Sequence, residues 1–341
     1  MFSFKMIDAS AGSIIMAFAI FLLGAIYQFP FLNYHFALTL SGLLVLAWLF
    51  MFFAFFRSLL KRDYRNNLVN LPIKSFGVGT WIAATSVICD LIIQRAPALL
   101  PLVKILVCAN LVFWIIFIIF CIHQLKSIIV NKEIANTHGV ILLSTVSTQS
   151  IVGLLVTTFG TSFTPDLIIA FITLGILLYL FSITLIIIRF TTKWRDIHEW
   201  KNTDCIIHGA VSITGLAMVQ SGNFTFNSII LVWYMVFVLF LVVEIADITR
   251  GIARIHKYGW RKGLFTYHIT QWARNFTFGM FYFFTFNMVH TFSNSIRPLE
   301  FHNHVLHLLG WIVLLLLIVE VSLFLISIVI KIIPLATTKQ I

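Results

Sequence analysis

The sequence predicts an all-helical, polytopic membrane protein whose ten transmembrane helices form five helical hairpins in a quasi-fivefold ring around a central pore. Three observations predict it. The 341 residues are 60% hydrophobic and 10% charged, whereas soluble domains carry about a quarter charged residues. Ten long apolar stretches follow one another along the chain, each near the roughly 20 helical residues that cross a bilayer core. The stretches pair, and the first member of each pair begins near Ile7, Ser75, His138, Cys205 and Ile269. That even spacing marks a repeated unit of one up-and-down helix pair.

In hydrocarbon every backbone polar group needs an internal partner, which leaves helices or closed barrels. These stretches lack the strict alternation of barrel strands, so they are read as helices. The hairpins fall approximately at 7–60, 75–125, 138–190, 205–252 and 269–333 of a single transmembrane domain spanning 1–341.

The net charge of +11 would suggest nucleic acid as a partner in a soluble protein. Here its placement reads as topology. Nineteen Lys and Arg residues, among them Lys5, Arg57, Lys61, Arg62, Arg195, Arg250 and Lys339, fall on one side of the predicted spans, and Arg95 and Arg297 fall on the other. The positive-inside rule then places both termini in the cytoplasm of a multi-pass cell-membrane protein, with lipid as its partner and no nucleic acid. The first stretch lacks a small-residue cleavage site and is read as retained. Cys108 and Cys121 share one helix, ~20 Å apart by helical rise, and no CxxC pattern is present, so neither a disulfide framework nor a metal site is expected. His302, His304 and His307 read as an interfacial cluster rather than a zinc site.

The even stretches are Leu, Ile, Phe and Val on every face, as lipid-facing helices are. The odd stretches carry small and polar residues at helical spacing: Gly77, Thr80 and Ala84 in the third; Ser144, Ser147 and Thr148 in the fifth; His208, Ser212 and Gly215 in the seventh; Asn275 and Gly279 in the ninth. One reading makes these stripes the lining of a pore. The other makes them contact points, because small residues let helices approach and hydroxyls bond across helices or back to their own backbone. Recurrence in the odd stretches favours the lining.

Three of these stretches, Ser75-Phe-Gly-Val-Gly-Thr-Trp-Ile-Ala-Ala-Thr-Ser86, His138-Gly-Val-Ile-Leu-Leu-Ser-Thr-Val-Ser-Thr-Gln-Ser150 and Gly209-Ala-Val-Ser-Ile-Thr-Gly-Leu-Ala217, resemble inner-helix motifs of the tellurite-resistance/dicarboxylate transporter family. Trp272-Ala-Arg-Asn-Phe-Thr-Phe-Gly-Met280 adds a fourth match, so the resemblance runs over helices 3 to 9. It implies a bundle of five hairpins, an assembly into homotrimers, a small-anion substrate and a pathway through each protomer. It also implies that a phenylalanine of the ninth helix, here Phe278, gates the path. Two departures stand out: Gly279 occupies the place of a proline common in relatives, and the first helix lacks their Met-Gly-Thr-Gly run.

Several charges and histidines admit two readings. Arg274 lies near the cytoplasmic mouth, where it could concentrate anions or pair with Glu244 or Asp247. His138 and His208 begin two odd helices, where they could line a vestibule and titrate near neutral pH or simply pack. Glu320 could couple protons or serve the structure. The expected function is membrane transport of small anions, organic (C4-dicarboxylates) or inorganic, as a channel or as a proton-coupled carrier of dicarboxylate, sulfite or tellurite. An intramembrane enzyme is disfavoured because no Asp-rich prenyl-transfer motif, HExxH or GxSxG is present. No cofactor is expected. A purely structural membrane protein would not need polar stripes confined to alternate helices.

Overall fold

The computed structural model describes residues 6–193, 196–293 and 299–337; Lys5, Arg195, Arg297 and Lys339, which enter the charge split, lie outside them. The protein is 91% helix, with no strand among the described residues. Its principal helices are α1 (Ala9–Leu23), α2 (Pro30–Leu60), α3 (Pro72–Arg95), α4 (Pro97–Val130), α5 (Gly139–Phe159), α6 (Pro165–Lys193), α7 (Ile206–Ser221), α8 (Phe226–Leu264), α9 (Trp272–Thr291) and α10 (Glu300–Thr337). A short helix, Arg62–Asn70, links α2 to α3.

Proline and glycine set several of these boundaries. Pro30, Pro72, Pro97 and Pro165 each open a helix, where the missing N–H costs nothing and φ is already helical. Gly222, at φ 66°, ends α7 in the left-handed conformation that a glycine adopts without strain. Gly259, at φ 75°, breaks α8 near its C-terminus.

Among the described residues, seven helices are long and apolar enough to cross a membrane: α2, α3, α4, α5, α6, α8 and α10. That is the mark of a polytopic membrane protein. Helices α1 and α7, at 15 and 16 residues, are shorter than a full span, and the apolar run of the continuous helix α9 is broken near its start by Arg274 and Asn275.

Burial divides the helices in two. The most apolar windows of α3 and α5 are 89% and 94% buried, whereas those of α2, α4, α6, α8 and α10 are 17 to 39% buried. Leu46, Phe50, Ile105, Ile119 and Leu231 stand exposed on the even helices, an oily outer surface that water would not tolerate over such an area. Helices α1, α3, α5, α7 and α9 each pack on the next, and α9 packs back on α1. Helix α2 lies over α1 and α3, α4 over α3 and α5, and α6 over α5 and α7; α8 packs chiefly on α7 and α10 on α9.

Each odd helix also opens with or near a single 3₁₀ turn: Ala9–Ala11, Phe76–Val78, Gly139–Leu142, Asn202–Cys205 and Ile269–Gln271. These turns touch one another in the same cyclic order as the helices. All five N-termini therefore meet at one end.

That end is cross-linked by a buried ion pair. Arg189 of α6 approaches Asp204 at 3.3 Å, with side chains 4% and 0% exposed. The Asp204 carboxylate also accepts the backbone N–H groups of Gly139 and Lys201, at 2.7 and 2.8 Å. One carboxylate thus ties the start of α5 to the start of α7 and the end of α6. Burial pushes its pKa up, while Arg189 and the two backbone donors pull it back. Gly139 is obligatory here, because a Cβ would sit 1.8 Å from the Thr203 carbonyl oxygen.

Candidate functional site

Two small cavities lie between the odd helices, and each takes lining from all five. The first is bounded by Ser13 of α1, Thr80 of α3, Leu143 of α5, Ile206 of α7 and Phe276 of α9. The second is bounded by Ile20, Asp90, Ser150, Ile213 and Phe283 of the same helices in the same order. In every helix the second residue lies further from the N-terminus than the first, so the two cavities follow one another along a common line. Each measures about 20 Å³, room for about one water molecule.

On α1 and α9 the side chains between them are apolar. Met16 faces the first cavity and Ile20, one turn on, the second; Phe276 and Met280 stand in the same relation on α9. All four are at most 2% exposed. The first cavity is bordered by Ser10, Ser13, Thr80, Thr203 and Thr270, yet its surface is almost wholly apolar. The hydroxyls of Ser13 and Thr80 donate to backbone carbonyls, and those of Thr203 and Thr270 are bonded to His138 and His268. Among the described residues it holds no ionisable side chain. The second holds one, Asp90, whose Oδ1 accepts the Thr157 hydroxyl at 2.5 Å.

Of the residues singled out by sequence as lining, Thr80 borders a cavity. Ala84 and Ser147 share the faces of their cavity-lining neighbours, three or four residues away, but border neither cavity. The glycines do something else. A Cβ on Gly77 would meet Ser10, one on Gly215 the ring of Phe284, and one on Gly279 the Cγ2 of Ile20, at 2.5, 2.4 and 2.5 Å. They are points of close helix approach rather than lining.

Most of the hydroxyls are likewise occupied. Ser144, Ser147 and Ser212 donate to the carbonyls of Ile141, Ser144 and His208 in their own helices, and Thr148 accepts the indole N–H of Trp114 from α4 at 3.1 Å. His208 is buried between the rings of Phe240 and Phe278, with centroids at 5.3 and 6.2 Å. Asn275 is buried, its Oδ1 without a partner. Arg274 is ion-paired to Glu244, the second of its two readings, so its charge is largely neutralised before it reaches the cavities.

Phe278 does not face the cavities. Its ring packs at 4.9 Å from Phe240 of α8 and 5.6 Å from the Arg274 guanidinium carbon. The phenylalanine of α9 at the first cavity is Phe276, two positions away and therefore ~200° round the helix. His138 caps the start of α5, its Nδ1 2.7 Å from the Thr203 hydroxyl. Burial, with the charges of Arg189 and Lys201, lowers its pKa to about 4. The ring is therefore neutral at pH 7, and the reading that it titrates near neutrality falls.

Sequence reasoning missed Phe276, Met16, Thr203, Thr270 and Asp90. The lining face of α9 runs Ala273, Phe276, Met280, Phe283, which a search for polar stripes passes over because it is oily. Asp90 carried a usable signal: it is the only acidic residue within α3.

Glu320 is 6% exposed, and its Oε1 has no hydrogen-bond partner. It borders neither cavity. His302 is buried against Trp233, ring centroids 4.4 Å apart, and no group of three or more His, Cys, Asp or Glu that could hold a metal occurs among the described residues. No protein-family model and no curated protein matches the chain.

Proposed function

We propose that this protein moves small anions across a membrane through the centre of a ring formed by α1, α3, α5, α7 and α9. In this reading all ten helices cross the bilayer as five hairpins, both termini are cytoplasmic, and the conformation described is closed. The single observation that carries the reading is that both cavities draw lining from all five odd helices in register. A structural bundle has no need of a repeated axial void, and its odd helices would have no reason to run parallel.

The chemistry of the first cavity supports an anion. Five helix N-termini meet there, each the positive end of its helix dipole, and N-terminal N–H groups are ready-made anion donors. The resemblance of the odd-helix motifs to the tellurite-resistance/dicarboxylate transporters leads to the same conclusion.

The closed state follows from the apolar wall. Met16, Ile20, Phe276 and Met280 set apolar side chains between the cavities, and a dewetted constriction stops ions. Phe276, as the largest of the four, is the gate in this reading.

The test is purified protein in liposomes, with fluxes of malate, sulfite, chloride and nitrate measured against empty vesicles. At least one of these anions moves faster with the protein present. If none does, in either the wild type or Phe276→Ala, the reading is lost. A proton-coupled carrier is the second reading, and the carboxylate of Asp90 in the second cavity favours it.

A further inference from the structure

The second cavity carries a charge of the wrong sign for an anion. Among the described residues Asp90 is the one ionisable residue bordering either cavity, and it is an acid. An ionised carboxylate about 4 Å from a passing anion would disfavour its entry on the order of a thousandfold at an effective dielectric of about 20. A protonated carboxyl has no such effect and offers a hydrogen-bond donor instead. We propose that Asp90 is a proton-binding site whose protonated form is the passable state of the path. This inference rests on the anion-transport reading and adds its regulation.

The surroundings of Asp90 fit that role. Among the described residues no Lys or Arg forms an ion pair with it. Among the described residues its side-chain hydrogen-bond partner is the neutral hydroxyl of Thr157. The packed helices α1 and α5 carry no titratable side chain. Helix α2 brings Tyr34 and His35 to this end, both exposed on the outer surface. Helix α4 brings Cys108, exposed, and Lys104, whose Nζ lies 5.9 Å from the ring centroid of Phe159. On α3 itself Cys89 is buried, and Arg95 donates to the Leu22 carbonyl and the Asn33 side chain. Among the described residues no cation holds Asp90 in the ionised form; the Thr157 hydroxyl, which donates to its Oδ1, is the one partner that favours it. Asp90 is only partly buried, so a proton can reach it from water at the C-terminal ends of the odd helices, and it leaves by the same route.

The experiment is anion flux into liposomes as the pH on that side is lowered from about 8 to about 5, a range spanning the shifts carboxylates show in proteins. It is paired with infrared difference spectra of the protonated-carboxyl stretch, using wild type and Asp90→Asn. Wild-type flux climbs by up to about tenfold per pH unit until the site saturates, while Asp90→Asn stays near the acid-side rate throughout. The infrared band appears on acidification of wild type and is missing from the variant. A variant that keeps the wild-type pH response overturns the proposal, and so does a wild-type band that Asp90→Asn leaves unchanged. Absence of flux from wild type at every pH removes the transport reading instead, and the infrared titration then decides the proton site alone.

Discussion

Phe276 and Phe278 sit two residues apart on α9 and face opposite ways: Phe276 borders the first cavity, whereas Phe278 packs against Phe240, 4.9 Å between ring centroids. Helical spacing requires this, since two residues turn ~200°. The two rings therefore answer to different measurements. Phe276→Ala opens the apolar wall and raises anion flux by about tenfold or more through wetting of the constriction. Phe278→Ala leaves flux close to wild type and lowers stability by about 3 kcal/mol, the loss expected for a buried aromatic ring. Liposome flux and thermal unfolding in detergent, run on both variants, separate the two roles. The reverse pattern would return the gate to Phe278.

The buried pair at the N-terminal end gives a second expectation. Asp204 is fully enclosed, with two backbone donors and Arg189 around it. Arg189→Met leaves an uncompensated buried carboxylate and costs about 3 to 5 kcal/mol. Asp204→Asn keeps the volume but loses the charge-assisted bonds and strands the guanidinium, with a cost of similar size. The double variant Arg189→Met/Asp204→Asn recovers part of the loss, because no lone charge remains. Unfolding midpoints for the four proteins give the coupling directly, and purely additive losses would show that the pair is not coupled.

His138 makes stability fall in acid. Its folded pKa is lowered to about 4, from about 6.5 in an unfolded chain. Between those values the unfolded state takes up a proton that the native state refuses, so stability is lost as pH drops from about 6.5 to about 4. The loss is at most about 3 kcal/mol, and less because the ring keeps some water contact. Asp204, whose pKa is raised by burial, acts with the opposite sign. His138→Asn therefore isolates the histidine: the variant loses less stability over that window than wild type. A pH profile of unfolding midpoints that the substitution leaves unchanged would rule the histidine out.

The division into odd and even helices was legible in the sequence because it rests on composition. Leu46, Phe50, Ile105 and Leu231 are oily on faces with no protein partner, and the structure leaves them exposed. The places where the odd helices begin were legible as well, since repeat spacing needs no side-chain geometry. The lining was not. Polar and small residues do two jobs between helices, and the stripe search gave the cavities residues such as Gly215 and Ser212, which serve helix contact and backbone bonding. The axial face of α9 is oily, so polarity could not find it. Phase along a helix decides which neighbour a residue meets, and an error of two residues, as between Phe276 and Phe278, reverses the answer.

The glycines offer the sharpest test of that distinction. If Gly215 and Gly279 lined a path, a methyl group at either would narrow it and change which anions pass. The geometry instead puts a Cβ of Gly215 2.4 Å from the Phe284 ring and one of Gly279 2.5 Å from Ile20 Cγ2, both closer than carbon atoms tolerate. Each alanine must push a helix or a side chain aside, an overpacking cost of about 1 to 3 kcal/mol. Ile20 also borders the second cavity, so Gly279→Ala displaces a lining side chain, whereas Gly215→Ala moves Phe284, which borders neither cavity. Both variants therefore lower the unfolding midpoint. Gly215→Ala keeps the wild-type ratio of malate to chloride flux, and Gly279→Ala changes it. A shifted ratio with unaltered stability in Gly215→Ala would put that glycine back on the path.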